Sequence, residues 1–146
     1  MANTNTDTGD HRRRGRRPRA AVRALLQAVA LAEDMADAVE ADPVERESLV
    51  RTALAAGEWL ADKGRPGRWE SLDPAALLEA MDFSDPQQAS GFLLKLGGLV
   101  GHAAFGGALE WDVARGLLVR IAEVASSPAV ASFAETTARR LAAAVD

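Results

Sequence analysis

Apolar residues recur along most of this chain at intervals of three and four positions, which is the spacing of one face of an α-helix. No stretch alternates between apolar and polar residues with the period of two that marks a half-buried strand. The spacing predicts six helices, at about 18–41, 43–63, 74–82, 86–104, 110–125 and 128–145. We therefore expect an all-α fold, a bundle of five or six helices without a sheet.

Each predicted helix carries an apolar face that we expect to form the core. On the first helix this face consists of Val22, Leu25, Leu26, Val29, Ala32, Ala36 and Val39. On the short third helix it consists of Leu77, Leu78 and Met81. The fifth helix contributes Ala114, Leu117, Leu118, Ile121 and Ala125, and the sixth contributes Val130, Phe133, Ala134, Thr137, Ala138, Leu141 and Val145.

Four of the helix starts are marked by the same device, a capping side chain followed by proline. An Asp or Ser oxygen accepts a hydrogen bond from a free N–H of the first turn, and proline lacks the N–H that would have no partner there. The pairs are Asp42-Pro43, Asp73-Pro74, Asp85-Pro86 and Ser127-Pro128. Two further pairs have the spacing of a capping box, Asp42 with Glu45 and Ser84 with Gln87.

The composition fits a helical domain. Of the 146 residues, 48% are hydrophobic, which is too many for a wholly disordered chain. Ala and Leu dominate and Tyr is absent, a composition typical of helices rather than strands. We assign one helical domain to residues 18–146. The absence of cysteine excludes disulfides and thiolate sites and permits a reducing compartment, and we expect a cytoplasmic protein. The bias toward Ala, Arg and Gly is bacterial-like.

Two stretches have features of membrane-directed segments, and we interpret both as helices of the domain. Residues 12–32 combine a basic start, an apolar run and small residues at the end, as a secretory signal does. Arg23 and Gln27 interrupt that run, and export is kept as an alternative. Residues 91–109 are the most apolar stretch, but a lysine, a histidine and several glycines make them a poor span, so we predict no membrane partner.

Charge is distributed very unevenly. Residues 1–23 contain seven arginines and two aspartates, a net charge of +5, and the rest contains ten Lys/Arg and 19 Asp/Glu, a net charge of −9. Arginines displace counterions from phosphate backbones and also bind carboxylates in pairs of hydrogen bonds. We expect residues 1–17 to form a disordered basic arm, and we predict that nucleic acid is bound by Arg12, Arg13, Arg14, Arg16, Arg17, Arg19 and Arg23.

Part of the arm, Arg14-Gly15-Arg16-Arg17-Pro18, resembles the core of an AT-hook, Arg-Gly-Arg-Pro, with one additional arginine before the proline. The resemblance covers five residues. It implies an extended segment in a narrow A·T minor groove, where Gly15 allows close approach and the arginines meet enhanced negative potential. Contact with the phosphates of DNA or RNA is the broader prediction. An acidic protein surface as the arm's target, or a tail without a binding role, are the alternatives.

The loop between the second and third helices is a second candidate for nucleic-acid contact. Lys63, Arg65 and Arg68 lie close in sequence to Trp69, and cations beside an aromatic ring suit stacking on an unpaired base. The alternative is that Trp69 folds back onto the core and anchors the loop.

The fourth and fifth helices, with a Gly106-Gly107 turn between them, have the outline of a helix-turn-helix. The fifth helix opens with Glu110, Trp111 and Asp112, and its carboxylates repel phosphate. We therefore interpret the pair as a helical hairpin of the core. Glycines 97, 98 and 101 favour close helix contacts, either within the chain or between subunits.

The remaining titratable groups do not assemble a recognisable catalytic motif. Acidic residues 33, 34, 37 and 40 form a stripe that we interpret as a solvated face, with a divalent ion, a basic partner or the chain's own arm as alternatives. His102 has only His11 as a fellow histidine, and we expect an ordinary core or surface role for it. We predict no enzyme activity, no cofactor and no metal.

These observations predict a small accessory protein that binds nucleic acid through its arginine arm and a protein partner, or itself, through its helical body. The alternative is a helical regulatory or assembly subunit whose arm binds an acidic protein.

Overall fold

The computed structural model of the chain describes residues 19–145. They form α1 (Arg19–Ala38), α2 (Pro43–Asp62), α3 (Pro74–Met81), α4 (Pro86–Phe105), α5 (Trp111–Val124) and α6 (Pro128–Val145), with a 3-10 turn at Trp69–Ser71. Within these residues there is no strand, which confirms the predicted all-α fold. The predicted arm, residues 1–17, lies outside the described part of the chain.

All four capping predictions are confirmed. The side chains of the capping residues accept backbone N–H hydrogen bonds from the first turns of α2, α3, α4 and α6, and each of these helices begins with proline. The distances are 2.8 Å from Glu45 N to Asp42, 3.1 Å from Ala75 N to Asp73, 2.9 Å from Gln87 N to Asp85 and 3.4 Å from Val130 N to Ser127. At α4 the cap is Asp85 rather than the alternative Ser84.

The main core lies among α4, α5 and α6, which pack against one another. Its centre is made of large aliphatic side chains with 0–1% of their surface exposed, Leu96, Leu117, Leu118, Ile121 and Leu141. The helix α3 and the 3-10 turn pack on α5. In α3 only Leu77 of the predicted face is fully buried, and Met81 at its end is 38% exposed.

The hairpin of α1 and α2 is closed by small side chains. Ala28, Ala32 and Ala36 of α1 face Leu49 and Ala53 of α2 in a second buried cluster. The two helices approach so closely that a Cβ on Gly57 of α2 would lie 2.8 Å from a methyl group of Leu25. Leu99 of α4 completes this cluster and connects the hairpin to the main core.

The predicted core face of α1 is confirmed at Ala32 and Ala36, which are buried, and is wrong at Val22, Leu26 and Val39. Ala21 and Ala28 are buried, while Val22, Leu26 and Val39 are 42%, 66% and 52% exposed. The physical reason is the close approach of α2, since a narrow gap between helices accepts alanine and turns the larger side chains away.

The glycines of α4 serve contacts within the chain. A Cβ on Gly101 would lie 2.9 Å from Thr137 Cγ2 of α6, and one on Gly98 would lie 3.0 Å from Met35 Cε of α1. A Cβ on Gly97 would meet the ring of Phe133 at 3.5 Å. Phe133 was predicted as a core residue, but it lies over this glycine at the surface with 39% exposure.

None of the described helices has the length and apolar character that a membrane span requires.

Shortening a side chain at the centre of the main core is expected to destabilise the protein strongly. Leu117 is fully buried, so Leu117→Ala should lower the free energy of unfolding by about 2–5 kcal/mol through lost burial and a cavity. Val119 lies on the same helix but is 48% exposed, and Val119→Ala should change stability by less than about 0.5 kcal/mol. Urea denaturation measures both, and equal effects would contradict the assigned face of α5.

The space around two helical glycines predicts that substitutions at them change the stability of the protein in opposite directions. Gly101→Leu forces a side chain against Thr137 and should destabilise the protein by about 1–3 kcal/mol. Gly116 of α5 has only the flexible end of Arg120 nearby, at 3.8 Å, so Gly116→Ala should stabilise by about 0.5–1 kcal/mol through helix propensity. Thermal unfolding distinguishes the two, and a stabilising Gly101→Leu would refute the close contact.

Candidate nucleic-acid interface

The described part of the arginine-rich stretch begins at the first residue of α1. Arg19 and Arg23 are exposed and lie one turn apart on the outer side of this helix. The other predicted contacts of the arm, residues 12–17, lie outside the described residues. The basic stretch therefore continues into an ordered helix, which fixes the direction in which its last two arginines point.

The hairpin brings the predicted loop to the start of α1. Since α1 and α2 run antiparallel, the last turn of α2 lies beside the first turn of α1. Ala21 and Lys63 line one open surface groove of about 480 Å³, whose floor includes Trp59 and Leu77. Of the predicted contacts, Arg19, Arg23 and Lys63 thus come to the same end of the hairpin.

Ser71 holds the loop in a compact shape. Its hydroxyl accepts a hydrogen bond from the backbone N–H of Arg65 at 3.0 Å and donates one to the carbonyl oxygen of Arg68 at 2.7 Å. Gly67 between them adopts the left-handed conformation, with φ of 77°. The side chains of Lys63, Arg65 and Arg68 all remain exposed.

Carboxylates lie beside two of the three loop cations. Lys63 Nζ is 3.8 Å from Asp62, and the guanidinium of Arg68 is 3.4 Å from Glu70. Both are exposed pairs of the kind that contributes about 0–1 kcal/mol, so a phosphate can displace either carboxylate at small cost. Arg65 has no ion pair within residues 19–145, which makes it the most available cation of the loop.

Trp69 is half-buried and packs against both hydrophobic clusters. Its indole, together with Leu31, Leu99 and Leu109, borders a small apolar cavity between α1 and α4. In this position the indole anchors the loop to the core, which is the alternative that the sequence left open. Base stacking would require the ring to leave the core, so the exposed cations are the part of the loop accessible to a ligand.

The helices α4 and α5 are a helical hairpin of the core. The turn between them contains Gly107 with φ of 84°. At the start of α5, Trp111 is half-buried with its ring edge-to-face against Phe105, 5.6 Å between centroids. The exposed groups there are the carboxylates of Glu110 and Asp112, and Asp112 is paired with Arg115. This end of α5 therefore presents negative charge to the solvent.

The acidic stripe of α1 takes part in two tertiary contacts that the sequence did not predict, a hydrogen bond and an ion pair. His102 Nε2 of α4 lies 2.7 Å from Asp34 Oδ2, and Arg46 of α2 pairs with Asp37. In residues 19–145 no three His, Asp or Glu side chains converge as a metal site would require. Each pair joins residues of separate helices, so no pattern within one helix reveals it.

A second open groove of about 560 Å³ lies between α2 and α4 and was not predicted. Its lining includes two cations, Arg51 and Lys95, together with the carboxylate of Asp85 and with Phe83. Lys95 is half-buried and has no ion pair among the described residues, whereas Arg51 lies 3.9 Å from Glu47. The two cations are far apart in sequence, so only the packing of α2 on α4 brings them to one groove.

The role of Trp69 is testable by stability. Trp69→Ala should lower the free energy of unfolding by about 2–3 kcal/mol, because the substitution removes a half-buried indole that packs against both hydrophobic clusters. The neighbouring exposed Arg68 provides the control, and Arg68→Ala should change it by less than about 0.5 kcal/mol. A negligible loss for Trp69→Ala would show that the ring is free for other contacts.

Comparison with known proteins does not assign this fold or these residues to a family. No family model, no curated protein and no solved structure matches the chain.

Proposed function

We propose that this chain is a small, non-enzymatic accessory protein that binds nucleic acid through its arginine-rich N-terminal stretch and binds a protein, or itself, through its helical body. The observation that carries the proposal is the concentration of seven arginines within residues 12–23 of a chain that is otherwise acidic. Such a density of guanidinium groups suits a polyanion, because every phosphate neutralised releases a condensed counterion.

The described surface supports a contact confined to one end of the molecule. Arg19 and Arg23 extend the basic stretch onto α1, and the groove shared by Ala21 and Lys63 places the loop nearby. Elsewhere the body is dominated by carboxylates, with ten Lys/Arg against 19 Asp/Glu after residue 23. Repulsion from these carboxylates disfavours wrapping of nucleic acid around the body and leaves the basic end as the contact.

The body offers binding surfaces of a different kind. Large apolar side chains are exposed on several helices, among them Leu26, Leu94 and Phe105 at 66%, 43% and 53% exposure. Exposed apolar groups of this size suit contacts between proteins rather than contacts with phosphate. The arm and the body thus divide the two proposed tasks between them.

The salt dependence of binding tests the proposed role of the arm. Contacts from about five arginines should give a log–log slope of binding constant against salt near −4 to −5 on duplex DNA, since each neutralised phosphate contributes about −0.9. Replacing Arg12, Arg13, Arg14, Arg16, Arg17 and Arg19 by alanine should nearly abolish that slope. Fluorescence anisotropy with duplex DNA, single strands and RNA measures it.

Surface arginines on the body provide the matched control. Arg139 and Arg140 are exposed on α6, and Arg51 is exposed on α2. Replacing these three arginines by alanine should leave most of the slope intact. Circular dichroism should show unchanged helicity for both variants. If the intact chain binds no nucleic acid in a salt-dependent manner, the arm's target is an acidic protein and the alternative function takes its place.

A further inference from the structure

The outer face of α1 is apolar where a surface helix is expected to be polar. Leu26 is 66% exposed and Val22 is 42% exposed, and exposed Ala30 continues the same side of the helix. The inner side of α1 packs on α2 and on α4. Among the described residues nothing covers the outer side.

The two ends of this apolar strip carry charges of opposite sign. Arg19 and Arg23 occupy the first two turns of α1, and Glu33 and Asp37 occupy its last two turns. All four side chains are exposed and are spaced by three or four residues along the face of Leu26. The face is thus basic at one end, apolar in the middle and acidic at the other end.

This order is complementary to itself when two helices run antiparallel. Arg19 and Asp37 are equally far from the level of Ala28, and so are Arg23 and Glu33. A two-fold axis at that level places each arginine of one copy opposite a carboxylate of the other. Leu26 then lies opposite Ala30 beside the axis, so the apolar residues meet in the centre.

We propose that this face of α1 binds the same face of a second copy of the chain, forming an antiparallel, two-fold symmetric dimer. The same patch serves both copies, as in an isologous interface. A parallel arrangement would set arginine against arginine and carboxylate against carboxylate, so the charges select the antiparallel one.

The size of the face sets the strength of the dimer. From Arg19 to Asp37 it is about 27 Å long at 1.5 Å per residue, the contact of a single helix pair. Such a contact is at the lower end of specific interfaces, and the dimer is expected to be reversible and weakened by salt. Because the helices are antiparallel, the two copies of Arg19 lie at opposite ends of the contact.

The dimer specifies how the helical body binds a second copy of the chain, and this inference rests on the function proposed for the body. In this dimer Arg19 and Arg23 face carboxylates, so the basic segments left for nucleic acid are residues 12–17 of each copy. The two copies of Arg19, which follow these segments in the chain, lie about 27 Å apart. Two such segments can bind one duplex together, which raises the effective affinity of the pair. Dimerisation itself requires no nucleic acid.

Complementary charge reversals on the intact chain test the dimer by sedimentation without nucleic acid. The first variant, Arg19→Glu with Arg23→Glu, has an entirely acidic face and should be monomeric. The second, Glu33→Arg with Asp37→Arg, has an entirely basic face and should also be monomeric. Mixed together, the two should form a heterodimer, because every arginine again faces a carboxylate.

A substitution in the apolar centre provides an independent readout. Leu26→Glu should weaken dimerisation about tenfold or more, since it places a carboxylate beside the two-fold axis. Val44 is 77% exposed at the start of α2, and Val44→Glu is the matched control that should leave the dimer unchanged. Leu26 is exposed in the monomer, so circular dichroism should show the helicity of the parent chain.

The outcomes separate the dimer from the arm's function. Replacing Arg12, Arg13, Arg14, Arg16 and Arg17 by alanine, with Arg19 retained, should leave dimerisation intact whether or not nucleic acid is bound. A parent chain that stays monomeric at high concentration overturns the proposal. A dimer that persists in both charge-reversed variants and in Leu26→Glu also overturns it, since another surface must then join the copies.

Discussion

The structure depends on the close approach of neighbouring helices to α4. This helix contacts α1, α2, α5 and α6, and its glycines lie where those neighbours come nearest. Gly101 admits Thr137 of α6, and Gly98 admits Met35 of α1. A larger side chain at Gly101 would push α6 away from α4, because a Cβ there already lies 2.9 Å from Thr137 Cγ2.

The same constraint determines what the surface of α1 looks like. A narrow gap between α1 and α2 is filled by Ala28, Ala32 and Ala36, and the larger Leu26 is left outside. Tight packing of small residues thus exposes an apolar strip between two charged ends. The surface proposed for self-association is therefore a consequence of how the hairpin closes.

Electrostatics divides the molecule into a basic end and an acidic body. Arg19 and Arg23 stand on the first turns of α1, near Lys63 at the end of α2, whereas the later turns of α1 carry carboxylates. Some of those carboxylates also make tertiary contacts, as Asp34 does with His102. The acidic stripe consequently serves tertiary structure as well as solvation, and its outer members remain exposed.

The sequence by itself determined the helices and where they begin. A capping oxygen and its proline act within one turn, as Asp42 does on the N–H of Glu45, so their effect is readable without knowing the rest of the fold. Apolar periodicity likewise located Leu117 and Leu141 in the core. The rotation of α1, the anchoring of Trp69 and the pairing of His102 with Asp34 were decided only by the tertiary structure. Each depends on the distance between segments remote in sequence, and the periodicity of one helix does not tell whether its neighbour approaches closely enough to prefer alanine over leucine.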